Sequence, residues 1–123
     1  MTYWKKIKRL KLSKHPDLEI PIHRFNKSYG DRLEEKYIDL MIAIESLVRP
    51  SRGSISKQVA IGISMLIGET SKERRDVRAD VDKAYDIRNK IVHGAMYRVT
   101  KDKEPLYYRV EDYLRRAIIK VLD

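Results

Sequence analysis

The sequence predicts an all-α fold, an antiparallel bundle of about five helices. Three observations carry that prediction. Apolar residues recur every three to four positions through most of the chain beyond residue 20, no segment alternates strongly enough to form a buried strand, and the polar connections are short.

The elements follow in order. A basic leader, residues 1–14, carries Lys5, Lys6, Lys8, Arg9, Lys11 and Lys14 ahead of the first acid, Asp17. The helical domain is expected over residues 15–123. Pro16 pushes His15 away from helical backbone, whereas Pro21 suits a first helical position. Ile22, Phe25 and Tyr29, closed by Gly30, then define a short first helix. Asp31 is the expected cap of a second helix, in which Leu33, Tyr37, Leu40, Met41, Ile44, Leu47 and Val48 repeat until Pro50. Ile38, Ile42 and Ala43 spread its apolar character beyond one side, which predicts a central position.

Pro50 to Ser54 reads as a loop. A third helix begins at Ser54 or Ser56 and carries Ile55, Val59, Ile63, Leu66 and Ile67, with Gly68 as its stop. Gly62 costs about 1 kcal/mol of helix propensity against alanine, so its presence predicts a close approach of a neighbouring helix. The fourth and longest helix runs from Ser71 to Gly94, and Ser71 lacks the acid that completes a capping box. Lys101 to Glu104 form a polar loop before Pro105. Leu106, Val110, Tyr113, Leu114, Ala117, Ile118 and Val121 trace the last helix. Tyr97 to Thr100 is the one weak candidate for a strand.

With 123 residues, 42% of them hydrophobic, the chain supports one domain with a core. It has no cysteine, which excludes disulfides and thiolate metal sites. The longest apolar run, Leu40 to Ile44, is far short of the roughly 20 residues that cross a bilayer, and the N-terminus lacks the apolar core of a signal peptide. A soluble cytoplasmic protein with no membrane partner is expected. The net charge of +9 suggests an anionic partner, but from His15 onward 21 basic residues face 18 acidic ones. Six of the nine excess charges therefore sit in the leader, which either grips phosphate or is a solvated tail. His15, His23 and His93 are widely separated and lack metal-ligand spacing with the acids. No metal or cofactor is expected.

The chemistry gathers in YDIRNKIVHG, Tyr85 to Gly94. At about 100° per residue, Val77, Val81, Ala84, Tyr85, Arg88, Ile91 and Val92 share one arc, with Arg88 near its centre. A guanidinium on that stripe requires hydrogen-bond partners or a wet cleft. Glu45, the acid inside the otherwise apolar IDLMIAIESLV, is a candidate partner for a structural pair. Asn89 and His93, four apart, lie on the flank of the arc. His93 falls in the last turn, where the helix dipole favours a cation, and Gly94 is expected to close the helix in the left-handed conformation. These features fit a structural helix end as well as a reactive site. Tyr107 and Tyr108 are suited to base stacking or to packing, and Arg49, Arg52, Arg74, Arg75 and Arg78 to an RNA surface or to solvation.

An arginine, four intervening residues and a histidine, with a polar residue directly after the arginine, resembles the signature of the HEPN superfamily. HRFNKSYGDRLEEKYIDLMIAIESLV (His23 to Val48) is similar to the first two helices of its Apea-like branch, KAYDIRNKIVHG (Lys83 to Gly94) to its signature helix, and VEDYLRRAIIKVL (Val110 to Leu122) to its closing helix. The resemblance covers most of residues 20 to 123, in family order. It implies a helical domain that forms a homodimer through the signature helix, two such motifs lining one cleft that cuts RNA without metal. Arg88 and His93 then take the positions of the signature arginine and histidine, Asn89 that of the polar residue, and Glu45 that of a supporting acid. Lys90, Tyr85 and Arg52 are the expected RNA contacts.

The function so implied is a metal-independent endoribonuclease, a toxin or defence effector with a possible antitoxin partner. Many relatives keep the helices and act only as binding modules, so a non-catalytic HEPN module for RNA or protein is the alternative. For cleavage, RNA supplies its own nucleophile, the 2′-hydroxyl. Imidazole, with an ordinary pKa of about 6.5, exchanges protons near neutrality. The planar donor fork of arginine matches a phosphate.

Overall fold

A computed structural model describes residues 32–94 and 96–123. The basic leader, the expected first helix and the expected cap Asp31 lie outside the described residues. Within them the fold is helical, with no strand. Helix α1 spans Leu33–Val48, α2 Ile55–Ile67, α3 Ser71–His93 and α4 Glu104–Leu122, and a 3-10 turn at Lys101–Lys103 leads into α4.

Each of these helices touches the other three. Tyr37, Leu40, Met41 and Ile44 of α1 meet Val59, Ala60 and Ile63 of α2, Val77, Val81 and Ala84 of α3, and Val110, Leu114, Ala117 and Ile118 of α4 in a single core. The periodic apolar positions therefore have one common destination, as burial of roughly 1.5–3 kcal/mol per large side chain would drive. Ile38 and Ile42 are only half-buried, so α1 is not enclosed on every side. Opposite directions follow from the contacts: Glu45 of α1 meets Tyr85 of α3 while Glu34 lies beside Ile91. Likewise Asp80 of α3 meets Tyr113 of α4, and Ile87 lies beside Leu106.

Local chemistry explains the helix ends. Pro50 disfavours helical backbone at Arg49, which instead takes the left-handed conformation (φ 54°) and donates its amide to the Glu45 carbonyl at 2.8 Å. A Cβ on Gly62 would stand 2.9 Å from Cγ1 of Val48, so the glycine permits the predicted close approach of α2 to the end of α1. Arg74 donates to the Gly68 carbonyl at 3.1 Å and Arg116 to the Ile67 carbonyl at 3.5 Å, setting two cations on the carboxyl end of α2. Arg74 is thus a capping group.

Helix α3 begins at Ser71, as expected, and two details of its ends differ from expectation. The cap is Thr70 rather than Ser71: its hydroxyl accepts from the Glu73 amide at 3.1 Å, and the Glu73 carboxylate accepts from the Glu69 amide at 3.1 Å. The acid that Ser71 lacks is present once the register shifts by one residue. At the other end Gly94 is extended, not left-handed (φ −112°). Glycine is needed there for space, because a Cβ would lie 2.8 Å from the Lys90 carbonyl oxygen.

Polar groups bind the helices laterally. Arg109 donates two hydrogen bonds to the Asp80 carboxylate, at 3.0 and 3.2 Å, and the Tyr113 hydroxyl donates a third at 2.7 Å. Burial pushes the Asp80 carboxyl up, but these donors outweigh it and hold it below the usual carboxylate range. Tyr37 donates to the Lys103 carbonyl at 2.5 Å and meets Tyr107 edge-on at 5.5 Å. Tyr107 is a core residue whose hydroxyl donates to Glu111 at 3.1 Å. No helix among the described residues is long and apolar enough to cross a membrane.

Candidate functional site

The apolar stripe of α3 does not end inside the core; it emerges from it. Val81 and Ala84 are sealed, Tyr85 is 7% exposed, Arg88 is half-buried, and Val92, four residues on, is 49% exposed. Arg88 therefore stands where the stripe leaves the core. The sequence reading places Ile91 and Val92 on the buried arc and overlooks Ile87, which is buried. The arc rotates because Tyr97 and Leu106 pack beside Ile87 at this end of α3.

Four of the predicted site residues form a chain of contacts. The Tyr85 hydroxyl donates to the Glu45 carboxylate at 2.6 Å, the Arg88 guanidinium lies 5.6 Å from the centre of the Tyr85 ring, and Arg88 Nη1 donates to the Asn89 side-chain oxygen at 3.0 Å. Arg88 forms no ion pair with Glu45, contrary to the direct pairing the sequence suggests; the acid reaches it through the tyrosine. Burial first, and the Glu45 hydrogen bond second, push the Tyr85 phenol up to about 12, so it remains a neutral donor. Arg88 Nε is buried without a hydrogen-bond partner, and among the described residues no carboxylate pairs with this guanidinium. Among the described residues its partners are an aromatic face and an amide oxygen, an arrangement suited to an incoming anion.

His93 is exposed in the last turn, with no hydrogen bond to another side chain among the described residues. Five residues place it about 140° around the helix from Arg88. The two groups therefore do not converge within one protomer. Val92 lies between them, at about 40° from Arg88, and Met96 beyond the helix is 87% exposed.

The expected RNA contacts divide. Tyr85 is 7% exposed, and its hydroxyl is committed to Glu45. Lys90 is exposed and pairs with Asp86 at 3.1 Å; that hydrogen bond holds its ammonium above the usual lysine range. Arg52 lies in the exposed loop between α1 and α2, where its carbonyl accepts from Gln58 at 3.1 Å. No group of three or more potential metal ligands occurs among the described residues.

The sequence reading also overlooks Tyr97 and Lys83. Both line a groove of about 370 Å³ beside the end of α3. The available signal is the seven-residue spacing of Lys83 and Lys90, which sets both amines on one side of the helix. No family model, no curated protein and no solved structure matches this chain.

Proposed function

We propose that this protein is a metal-independent endoribonuclease of the HEPN type, acting as a homodimer whose two α3 motifs share one cleft. The observation that carries the reading is Arg88: a guanidinium at the mouth of the core, held by Tyr85 and Asn89 and lacking a carboxylate partner among the described residues. Uncovered Val92 between Arg88 and His93 supports a second copy meeting this face, since α3 then brings His93 of one protomer toward Arg88 of its mate.

In this arrangement one His93 takes the proton of the 2′-hydroxyl as that oxygen bonds to the adjacent phosphorus. The bond from phosphorus to the 5′-oxygen breaks, and the mate's His93 returns a proton to the leaving oxygen. Arg88 holds the phosphate and the charge that develops on it, with Asn89 fixing one of its nitrogens. The products are a 2′,3′-cyclic phosphate and a 5′-hydroxyl. A toxin or defence role, with an antitoxin partner, follows from the family resemblance.

A non-catalytic RNA- or protein-binding module is the second reading. The observation favouring it is that no side chain among the described residues orients His93, as a general base usually requires. Purified protein and its His93→Ala variant, incubated with RNA in EDTA, separate the two. Loss of cleavage with retained binding supports the nuclease; equal cleavage by both, or none by either, removes it. Light scattering that returns a 14.6 kDa particle at micromolar concentration would exclude the composite cleft.

A further inference from the structure

We infer that the groove beside Tyr97 holds one nucleotide of single-stranded RNA next to the bond being cut, with the base stacked on Tyr97 and the phosphate at Lys83 and Lys103. This rests on the RNA reading above and adds to it a subsite outside the motif. The groove, of about 370 Å³, falls within the roughly 300–1,000 Å³ of small-ligand clefts. Its floor is apolar, Ile87 and Leu106, and both are buried. Tyr97 is half-buried and forms a wall; it also borders a second cleft of about 260 Å³ on the Arg32 and Arg98 side. Its backbone is fixed by a hydrogen bond from its amide to the Gly94 carbonyl at 2.9 Å, which holds the ring one turn past the histidine.

Charge and placement agree with a strand passing the motif. Lys83 and Lys90 come from one side of α3 and Lys103 from the 3-10 turn, so amines border the groove from two elements. Asp82 and Asp86 also line it, and each repels a phosphate; the Lys90 ammonium at 3.1 Å neutralises Asp86. Lys103 is drawn to Asp102 at 3.6 Å, whereas Lys83 has no ion pair among the described residues. On α3, Lys90 lies about 60° from His93 and about 160° from Arg88. The groove thus opens on the histidine side of the helix. A half-buried aromatic ring with neighbouring cations is the arrangement by which proteins hold unpaired bases through stacking and phosphates through charge.

The test uses the full chain in the His93→Ala background, so that the strand stays intact, and a labelled single-stranded oligoribonucleotide as probe. Tyr97→Leu should weaken binding by about fivefold or more, the loss of one stacked base, while Tyr97→Phe stays close to the parent. Lys83→Gln should lower the slope of log affinity against log salt by about 0.7, the contribution of one single-strand phosphate. Asp82→Asn should tighten binding. A mononucleotide 5′-phosphate that binds through Tyr97 as tightly as the oligoribonucleotide would identify a free nucleotide rather than a strand as the ligand, and would overturn the placement beside the cut. Unchanged affinity of Tyr97→Leu with an unchanged melting curve overturns the proposal. If that variant unfolds, the exposed Lys83→Gln decides, and an unaltered salt slope overturns it. Cleavage in the His93-intact chain is read separately: binding through Tyr97 without any cleavage ends the nuclease reading and leaves the groove, whereas cleavage indifferent to Tyr97→Leu ends the groove and leaves the nuclease.

Discussion

Replacing Tyr85 by phenylalanine removes one oxygen atom from the motif and leaves the ring under Arg88 in place. The lost hydrogen bond is short, 2.6 Å, and its acceptor is the Glu45 carboxylate. Bonds to charged groups contribute about 1.5–3 kcal/mol when buried; this one is partly buried, so about 1–2 kcal/mol is expected. Glu45→Gln should cost less, since the amide oxygen still accepts. A double-mutant cycle with Glu45→Ala and Tyr85→Phe, followed by urea unfolding, should return a coupling of about 1 kcal/mol. The functional readout divides differently. Tyr85→Phe keeps the cation–π support and should retain most RNA cleavage, whereas Tyr85→Leu removes the ring and should lose more than the phenylalanine variant at equal folded fraction. A coupling within about 0.3 kcal/mol of zero, or equal activity for the phenylalanine and leucine variants, would refute the chain from Glu45 through Tyr85 to Arg88.

Three further outcomes are expected. Gly62→Ala gains helix propensity but meets Val48 at 2.9 Å, so it should be neutral or destabilising alone and stabilising by about 1 kcal/mol in a Val48→Ala background, read by thermal unfolding. Tyr85 and Tyr113, each pushed up to about 12 chiefly by burial, and Tyr37, raised further by the same cause, stay neutral in the folded chain. Their raised values add stability that is fully present below the unfolded value of about 10 and is lost as pH climbs toward 12; tyrosinate absorbance should therefore appear for these residues together with loss of helical circular dichroism, and ionisation without unfolding would contradict their burial. Asp80, depressed by Arg109 and Tyr113, contributes stability above its unfolded value of about 3.9 that disappears as pH falls through its lower folded value. Asp80→Asn should thus destabilise by about 1–3 kcal/mol at neutral pH and by little once the wild-type carboxylate is protonated.

The helices were legible because each carries its own period and its own punctuation. Pro50 marks the end of α1 and Pro105 the first turn of α4, and neither signal depends on the rest of the molecule. Thr70 was overlooked because Ser71 is an equally good cap by type, and only the position of the Glu73 carboxylate distinguishes them. Gly94 misled for a similar reason: a glycine after a helix signals either a left-handed turn or a shortage of room, and sequence does not separate the two. Within the motif, Arg88 was legible as a cation on an apolar stripe. Its indirect link to Glu45 was not, because that link depends on the relative rotation of α1 and α3. Tyr97 and Lys83 belong to a groove that exists only once the segment after α3 has folded back against Ile87.

The two guanidinium groups on the last carbonyls of α2 fasten three helices at one spot, about 28 Å along α3 from His93 by the helical rise. Toward the other end the ties are of a different kind: Tyr85 to Glu45 at 2.6 Å, Tyr37 to the Lys103 carbonyl at 2.5 Å and Arg98 to Glu34 at 3.4 Å. A partner docking at Arg88 therefore acts well away from the knot that joins α2, α3 and α4.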